Sequence, residues 1–276
     1  RPASSAGAQS ERPMSYRRIA CLSTEAVETL YLLGAEDCIA GISGFTTRPA
    51  RARKEKPKVS GFSSAIIERI LAVAPDLVIA FSDLQADIVR DLIRAGVEVH
   101  VFNQRDLAGI LRMIGALAAL VDKAQAGAQL VADLQARLEA ARGRARALLR
   151  HPRVYFEEWN DPLISGIRWV SELIEAAGGE DFFAEESCRP GARERIIADP
   201  AEVVRRAPDI IVGSWCGKKF RPEQVRARVG WEMIPAVRGD EMHEIKSADI
   251  LSPGPGAISE GLGLIERIIA NWAVRA

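Results

Sequence analysis

From residue 17 onward, short apolar runs alternate with longer amphipathic stretches, the pattern of β-α-β units that build a mainly parallel sheet. The runs at 18–22, 39–43, 77–81 and 97–102 predict strands with helices between them. Ser23 and Thr24 precede Glu25-Ala26-Val27-Glu28-Thr29-Leu30-Tyr31-Leu32-Leu33, an N-cap ahead of a helix that stops at Gly34. Residues 106–150 hold no proline and are dense in Ala, Leu, Gln, Glu and Arg, so they read as mostly helix. The second part, 123–149, would be about 40 Å long at roughly 1.5 Å per residue. Leu130, Leu134 and Leu138 put an apolar stripe on one of its faces. His151-Pro152 ends this helix, and further strands are predicted at 153–156, 209–213 and 242–245. Helices are predicted at 171–177, closed by Gly178-Gly179, and at 258–272.

An internal echo divides the chain. Ala74-Pro75-Asp76-Leu77-Val78-Ile79 recurs as Ala207-Pro208-Asp209-Ile210-Ile211-Val212, each after an amphipathic helical stretch. Proline stops the helix, and the apolar run behind it makes a buried strand. The expected organisation is an N-terminal segment 1–16 outside the fold, an α/β lobe over 17–122, an inter-lobe helix over 123–150 and a second α/β lobe over 151–276.

Composition narrows the function classes. Lys+Arg and Asp+Glu balance at 37 each, so no global field draws the chain to nucleic acid or to an anionic membrane. No stretch approaches the roughly 18 to 20 apolar residues needed to span a bilayer. Residues 1–13 carry no apolar segment of the secretory kind, which leaves a removed signal or a native start at Met14. The four cysteines allow one bridge per lobe, Cys21 with Cys38 and Cys188 with Cys216, or four free thiols. His100, His151 and His243 are scattered, so a metal is expected to arrive inside its own chelator rather than at a histidine site. The phosphate-loop, dinucleotide, serine-hydrolase and zinc-protease signatures are absent from the sequence.

In sheets of this kind ligands meet the loops beyond the carboxyl ends of the strands. That rule selects Ser43, Phe45, Thr46 and Arg48, then Phe81 and Ser82, Asn103, Glu158 and Trp159, and finally Trp215, Lys218 and Lys219. Arg168 and Trp169 follow as candidates at a helix entry. Aromatic rings would stack on a macrocycle or catecholate, with hydroxyl, amide and basic groups meeting its periphery. The structural alternative is that the same rings seal the lobe cores. Six positive charges between Arg48 and Lys58 are read as a mostly solvated loop, with Arg48 kept for the cleft. Glu157 and Glu158 are adjacent on a strand and point to opposite faces, which argues against paired acid–base work.

The order of Ile39-Ala40-Gly41-Ile42-Ser43, Lys56-Pro57-Lys58-Val59, Ile67-Glu68-Arg69-Ile70-Leu71, the Ala-Pro-Asp strand, the long helix and Glu175-Ala176-Ala177-Gly178-Gly179-Glu180-Asp181-Phe182-Phe183 resembles the helical-backbone periplasmic solute-binding proteins. The nearest branch is that of the cobalamin-binding and ferric-siderophore-binding proteins of ABC importers. The resemblance implies two Rossmann-like lobes joined by one backbone helix and a ligand in the cleft between them. It further implies a monomeric, non-enzymatic carrier with no intrinsic cofactor, whose ligand is a metal chelate: a corrinoid first, a ferric siderophore or haem next. A permease partner would be met through one glutamate per lobe, Glu68 in the first and, one place out of register, Glu202 in the second. A periplasmic location follows from the resemblance, and a cytoplasmic one from a start at Met14. Two other readings stay open, a cytosolic corrinoid-transfer protein and a two-lobed α/β enzyme with a cleft active site.

Overall fold

The computed structural model describes residues 15–275; Met14 and most of the expected N-terminal segment lie outside them. Five strands form the first sheet: β1 (Ile19–Cys21), β2 (Ile39–Ser43), β3 (Lys58–Ser60), β4 (Leu77–Phe81) and β5 (Val99–Phe102). All pair in parallel, in the order β3-β2-β1-β4-β5. The chain reverses its winding between β1 and β4, which opens a crevice beyond the carboxyl ends of those strands. The second sheet is built from β6 (Arg153–Asn160), β7 (Leu163–Ser165), β8 (Glu180–Asp181), β9 (Ile210–Gly213) and β10 (Met242–Glu244). Its order is β10-β9-β6-β7, with β8 also pairing to β6, and only β7 runs antiparallel.

Period-2 alternation sends each sheet's side chains into two layers. Ile19, Cys21, Leu77 and Ile79 enter a core that continues through the helices into Val154, Phe156, Ile210 and Val212 of the second sheet. Ala20, Leu22 and Val78 face the opposite layer with Ile70, Ile88 and Leu92. In the second lobe that outer layer is aromatic: Tyr155 and Ile211 pack with Phe183, Trp215, Phe220 and Trp231.

The helical region between the lobes is a hairpin of two helices, of which the second is the long inter-lobe arm. Helix Leu107–Leu120 and helix Ala124–Ala145 are separated by a turn in which Asp122 adopts a φ of 61°. The helices touch closely because Gly127 has no side chain; a Cβ there would lie 2.3 Å from that of Ala118. Leu134 and Leu138 are buried as the apolar stripe predicts, and Leu130 is partly buried. Ser23 caps the first helix, Thr24–Leu32, by accepting from the Ala26 amide at 3.1 Å.

The echoed sequence forms the same corner twice. Ala74 and Ala207 have left-handed backbones, φ 45° and 47°. Asp76 accepts from the Arg17 and Arg18 amides, while the Arg18 guanidinium donates to the Ala74 and Val73 carbonyls. Asp209 likewise accepts from the Arg153 amide, and Arg153 donates to the Ala207 carbonyl. Each corner closes the amino end of its lobe's first strand, so the opposite, carboxyl ends are left for the cleft.

Those carboxyl ends meet. Gln104, beyond β5, donates to the Pro253 carbonyl at 2.8 Å, and Thr24, beyond β1, shares a 2.9 Å hydrogen bond with Ser252. Pro253 and Ser252 belong to the segment that follows β10. The lobes therefore oppose each other across the ends of their sheets, tethered by the helical arm and by this returning C-terminal segment.

Candidate functional site

The first lobe presents a row of aromatic rings on its carboxyl-end loops. Phe45, beyond β2, is 59% exposed and stands edge-on to Phe62 at 6.0 Å. Phe62, beyond β3, is 41% exposed and lies 5.0 Å from Phe81, at the end of β4. Leu84 extends the apolar surface, 56% exposed. These rings, in contact with one another at the sheet's carboxyl edge, form an apolar surface patch. One buried side chain holds the row together. The Gln85 amide oxygen accepts from the Phe81 amide at 3.1 Å, and its nitrogen donates to the Phe62 carbonyl at 2.8 Å and the Leu22 carbonyl at 3.3 Å. Three strand-end loops are thus tied to one fully buried amide.

The second lobe is built otherwise. Glu157 on β6 is fully buried; its carboxylate accepts from both Arg228 nitrogens, at 2.6 and 2.8 Å, and from the Trp215 indole at 2.9 Å. Trp215 is only 2% exposed and packs on Phe220 at 5.1 Å, so it anchors its loop and has no face to offer a ligand. Glu158, on the other face of the strand as alternation requires, pairs with the buried Arg195, whose guanidinium also donates to the Ser165 carbonyl. Each glutamate is held by a different arginine, so the two form no acid–base pair over one substrate atom. Trp159 is half-buried, its indole donating to the Asp161 carbonyl at 2.8 Å. The Lys218 ammonium lies 4.0 Å from the Trp159 ring centroid and 5.2 Å from that of Trp215. Lys218 and Lys219 are exposed.

Several residues selected from the sequence have local duties instead. Ser43 is buried and donates to the Gly61 carbonyl, Thr46 is buried, and Ser82 caps the turn that carries Leu84. Trp169 is buried with its indole donating to the Ile250 carbonyl, and Arg168 pairs with Glu172. Arg48 is the largest departure. It meets Glu28, Asp249 and Glu260 and so bridges the first lobe to the C-terminal segment. Asn103 remains exposed beyond β5. Phe62, Leu84 and Gln85 were not selected from the sequence. All four cysteines are free thiols, which corrects the two-bridge alternative.

At the junction of the lobes Glu25 is buried beside Gly254, with Thr24 donating to it at 3.2 Å. Burial pushes its carboxyl up to about 7, and the neighbouring Glu28 adds to the rise. A groove of about 1170 Å³ runs along the flank between the helical arm and β8. Its lining contains Glu172, Glu175, Asp181, Arg142 and Arg146 and, for rings, only His151, so it offers a flat chelate little to stack on.

Two opposed α/β lobes, a helical arm between them and aromatic loops at the sheet ends are the architecture of a two-lobed solute-binding protein. Residues 19–248 match the periplasmic binding protein family, and the chain belongs to that family. A vitamin B12-binding protein of Vibrio campbellii is 29% identical over 202 residues, 72% of this chain and 70% of the relative. That of Vibrio vulnificus is 27% identical over 263 residues, 93% of this chain and 90% of the relative. Among solved structures, a periplasmic heme-binding protein of Roseiflexus sp. RS-1 superposes with a TM-score of 0.78 at 22% identity, covering 94% of this chain and 99% of its own. The periplasmic vitamin B12-binding protein of Vibrio cholerae does so at 0.74 and 20% identity, covering 93% and 97%. These likenesses establish the helical-backbone fold. Among the described residues no helix is long and apolar enough to cross a membrane.

Proposed function

We propose that the protein captures a bulky metal chelate, a corrinoid before a ferric siderophore or haem, between the Phe45–Phe62–Phe81 row and the Trp159–Lys218 edge, and delivers it to an ABC-type permease outside the cytoplasm. The mutually packed phenylalanine row, with Phe45 and Phe62 exposed and Phe81 half-buried, carries this reading, because a solvated aromatic surface of that kind is kept where a large apolar ligand covers it. The relatives described as vitamin B12-binding supply the corrinoid preference. The protein acts as a carrier: Glu157 and Glu158 are both neutralised by arginine and hold structure. Glu68, exposed on helix Ile67–Leu71, is the permease contact of the first lobe. Glu202 is held by Arg205 and Arg206 at 2.7 Å each, so the second lobe offers a mixed-charge contact in place of a lone carboxylate.

Titration with cyanocobalamin, a ferric catecholate and haemin, followed by tryptophan emission and visible absorbance, tests the proposal. At least one should bind with a Kd of about 1 µM or tighter, near −8 kcal/mol. Absence of binding by all three at roughly a hundred times that concentration would overturn it.

A further inference from the structure

The loop between β9 and Phe220 is anchored at both ends, and its only charged groups are two lysines that make no salt bridge among the described residues. The ring of Phe220 occupies the space where a Cβ on Gly213 would sit, 1.9 Å from such an atom, so the loop leaves and re-enters the fold at one point. The Phe220 amide donates to Glu244 at 3.0 Å, and Trp215 is tied to Glu157. Between these anchors the Lys218 amide donates to the Trp215 carbonyl at 3.2 Å, and Gly217 turns the chain with a φ of 76°. Among the described residues neither Lys218 nor Lys219 makes a salt bridge, and Lys219 acts on Glu223 only at longer range. The nearest glutamates on β6, Glu157 and Glu158, are already neutralised by Arg228 and Arg195. The Lys218 charge rests on indole faces alone, an arrangement worth only about 0.5 to 1 kcal/mol when exposed. An anion brought within reach would displace it.

The opposite wall has the contrary character. Phe45, Phe62, Phe81 and Leu84 carry no charge, the adjacent Asp83 is met by Arg105 at 3.3 Å, and the cation beside the row, Arg53, is turned onto the Gly44 and Thr46 carbonyls. We infer that the cleft takes its ligand in one orientation, with an apolar face on the first lobe and an anionic substituent at Lys218, and selects chelates that carry a carboxylate or phosphodiester at one edge. This inference rests on the proposed chelate-binding function and adds a charge rule to it. In the bound state the ammonium moves from the Trp159 ring to the anion, which frees the indole for contact with the ligand. Two anion sources share this chemistry, the phosphodiester of a complete corrinoid and the carboxylates of a porphyrin.

Two matched pairs of probes separate the sources: cyanocobalamin against aquacyanocobinamide, which lacks the phosphodiester, and haemin against its dimethyl ester. For whichever scaffold binds, the anionic member should bind roughly ten-fold tighter to the native protein, a preference of about 1.4 kcal/mol. Lys218→Gln should abolish the preference by weakening only the anionic member, and Lys218→Arg should retain it. Raising the salt should shrink it in the native protein. Equal weakening of both members by Lys218→Gln, or no preference in the native protein, would overturn the charge rule while leaving chelate binding intact. Failure of all four probes to bind the native protein would instead remove the proposed function, and the charge rule with it.

Discussion

The two lobes begin from the same corner and end in opposite chemistry. Both carry an arginine–aspartate bracket around a left-handed alanine before a buried strand. Both position their cleft loops through one fully buried polar residue. In the first lobe this is Gln85, a neutral amide that hydrogen-bonds only to backbone, and of the rings it organises Phe62 stays exposed and Phe81 half-buried. In the second it is Glu157, an ion held by Arg228, and the rings around it are buried, leaving a lysine on the surface. A repeated fold therefore supports an apolar wall and a charged wall, and the choice of buried hub goes with that difference.

The sharpest way to break the comparison is to remove the arginine. Arg228→Ala leaves the Glu157 carboxylate buried without its counter-ion, and a loss of about 3 to 5 kcal/mol in denaturant unfolding is expected. A loss under about 1 kcal/mol would show that the pair is not the hub of its lobe. Next comes the buried carboxyl that has no arginine. Glu25 is protonated more readily in the fold than in the unfolded chain, so the folded state holds the extra proton between pH 4.5 and about 7. Stability from this group is complete below that window and is lost as pH rises through it, on the order of 3 kcal/mol in all. Glu25→Gln should flatten that slope and raise the unfolding midpoint at pH 8; an unchanged pH profile would contradict the assignment. Gln85→Ala strips three backbone groups of their partner, for a loss of about 2 kcal/mol together with weaker ligand binding. The smallest change in stability is expected for Phe62→Ala, under about 1 kcal/mol because the ring is exposed, alongside roughly ten-fold weaker chelate binding from the lost stacking. Full affinity in that variant would remove the phenylalanine row from the site.

The alternation of apolar runs made most of the fold legible: β2 and β4 coincide with the runs at 39–43 and 77–81, and β1, β5, β9 and β10 differ from their predicted spans by a residue or two. What escaped was short. In β3 only Val59 is apolar, and β7 and β8 have three and two residues, too few for a periodic signal. The missed strand carried the missed residue of the proposed site. Phe62 follows β3, so recognising Lys58–Ser60 as a strand would have selected it by the same rule that selected Phe45 and Phe81. Sorting the tryptophans was beyond a local reading. Trp215 is buried because its indole meets Glu157, 58 residues away in sequence. Arg48 likewise looked like a cleft charge until the fold brought Asp249 and Glu260 to it.

The central claim is that a metal chelate is held between an apolar first lobe and a charged second lobe. The crystal structure of the protein with the tightest-binding chelate from the titrations tests it most directly. The account predicts density between Phe62 and Trp159, with the Lys218 ammonium moved off the indole toward an anionic edge of the ligand. A chelate seated in the flank groove beside Glu175 and Asp181, or bound with Phe62 and Trp159 untouched, would contradict it.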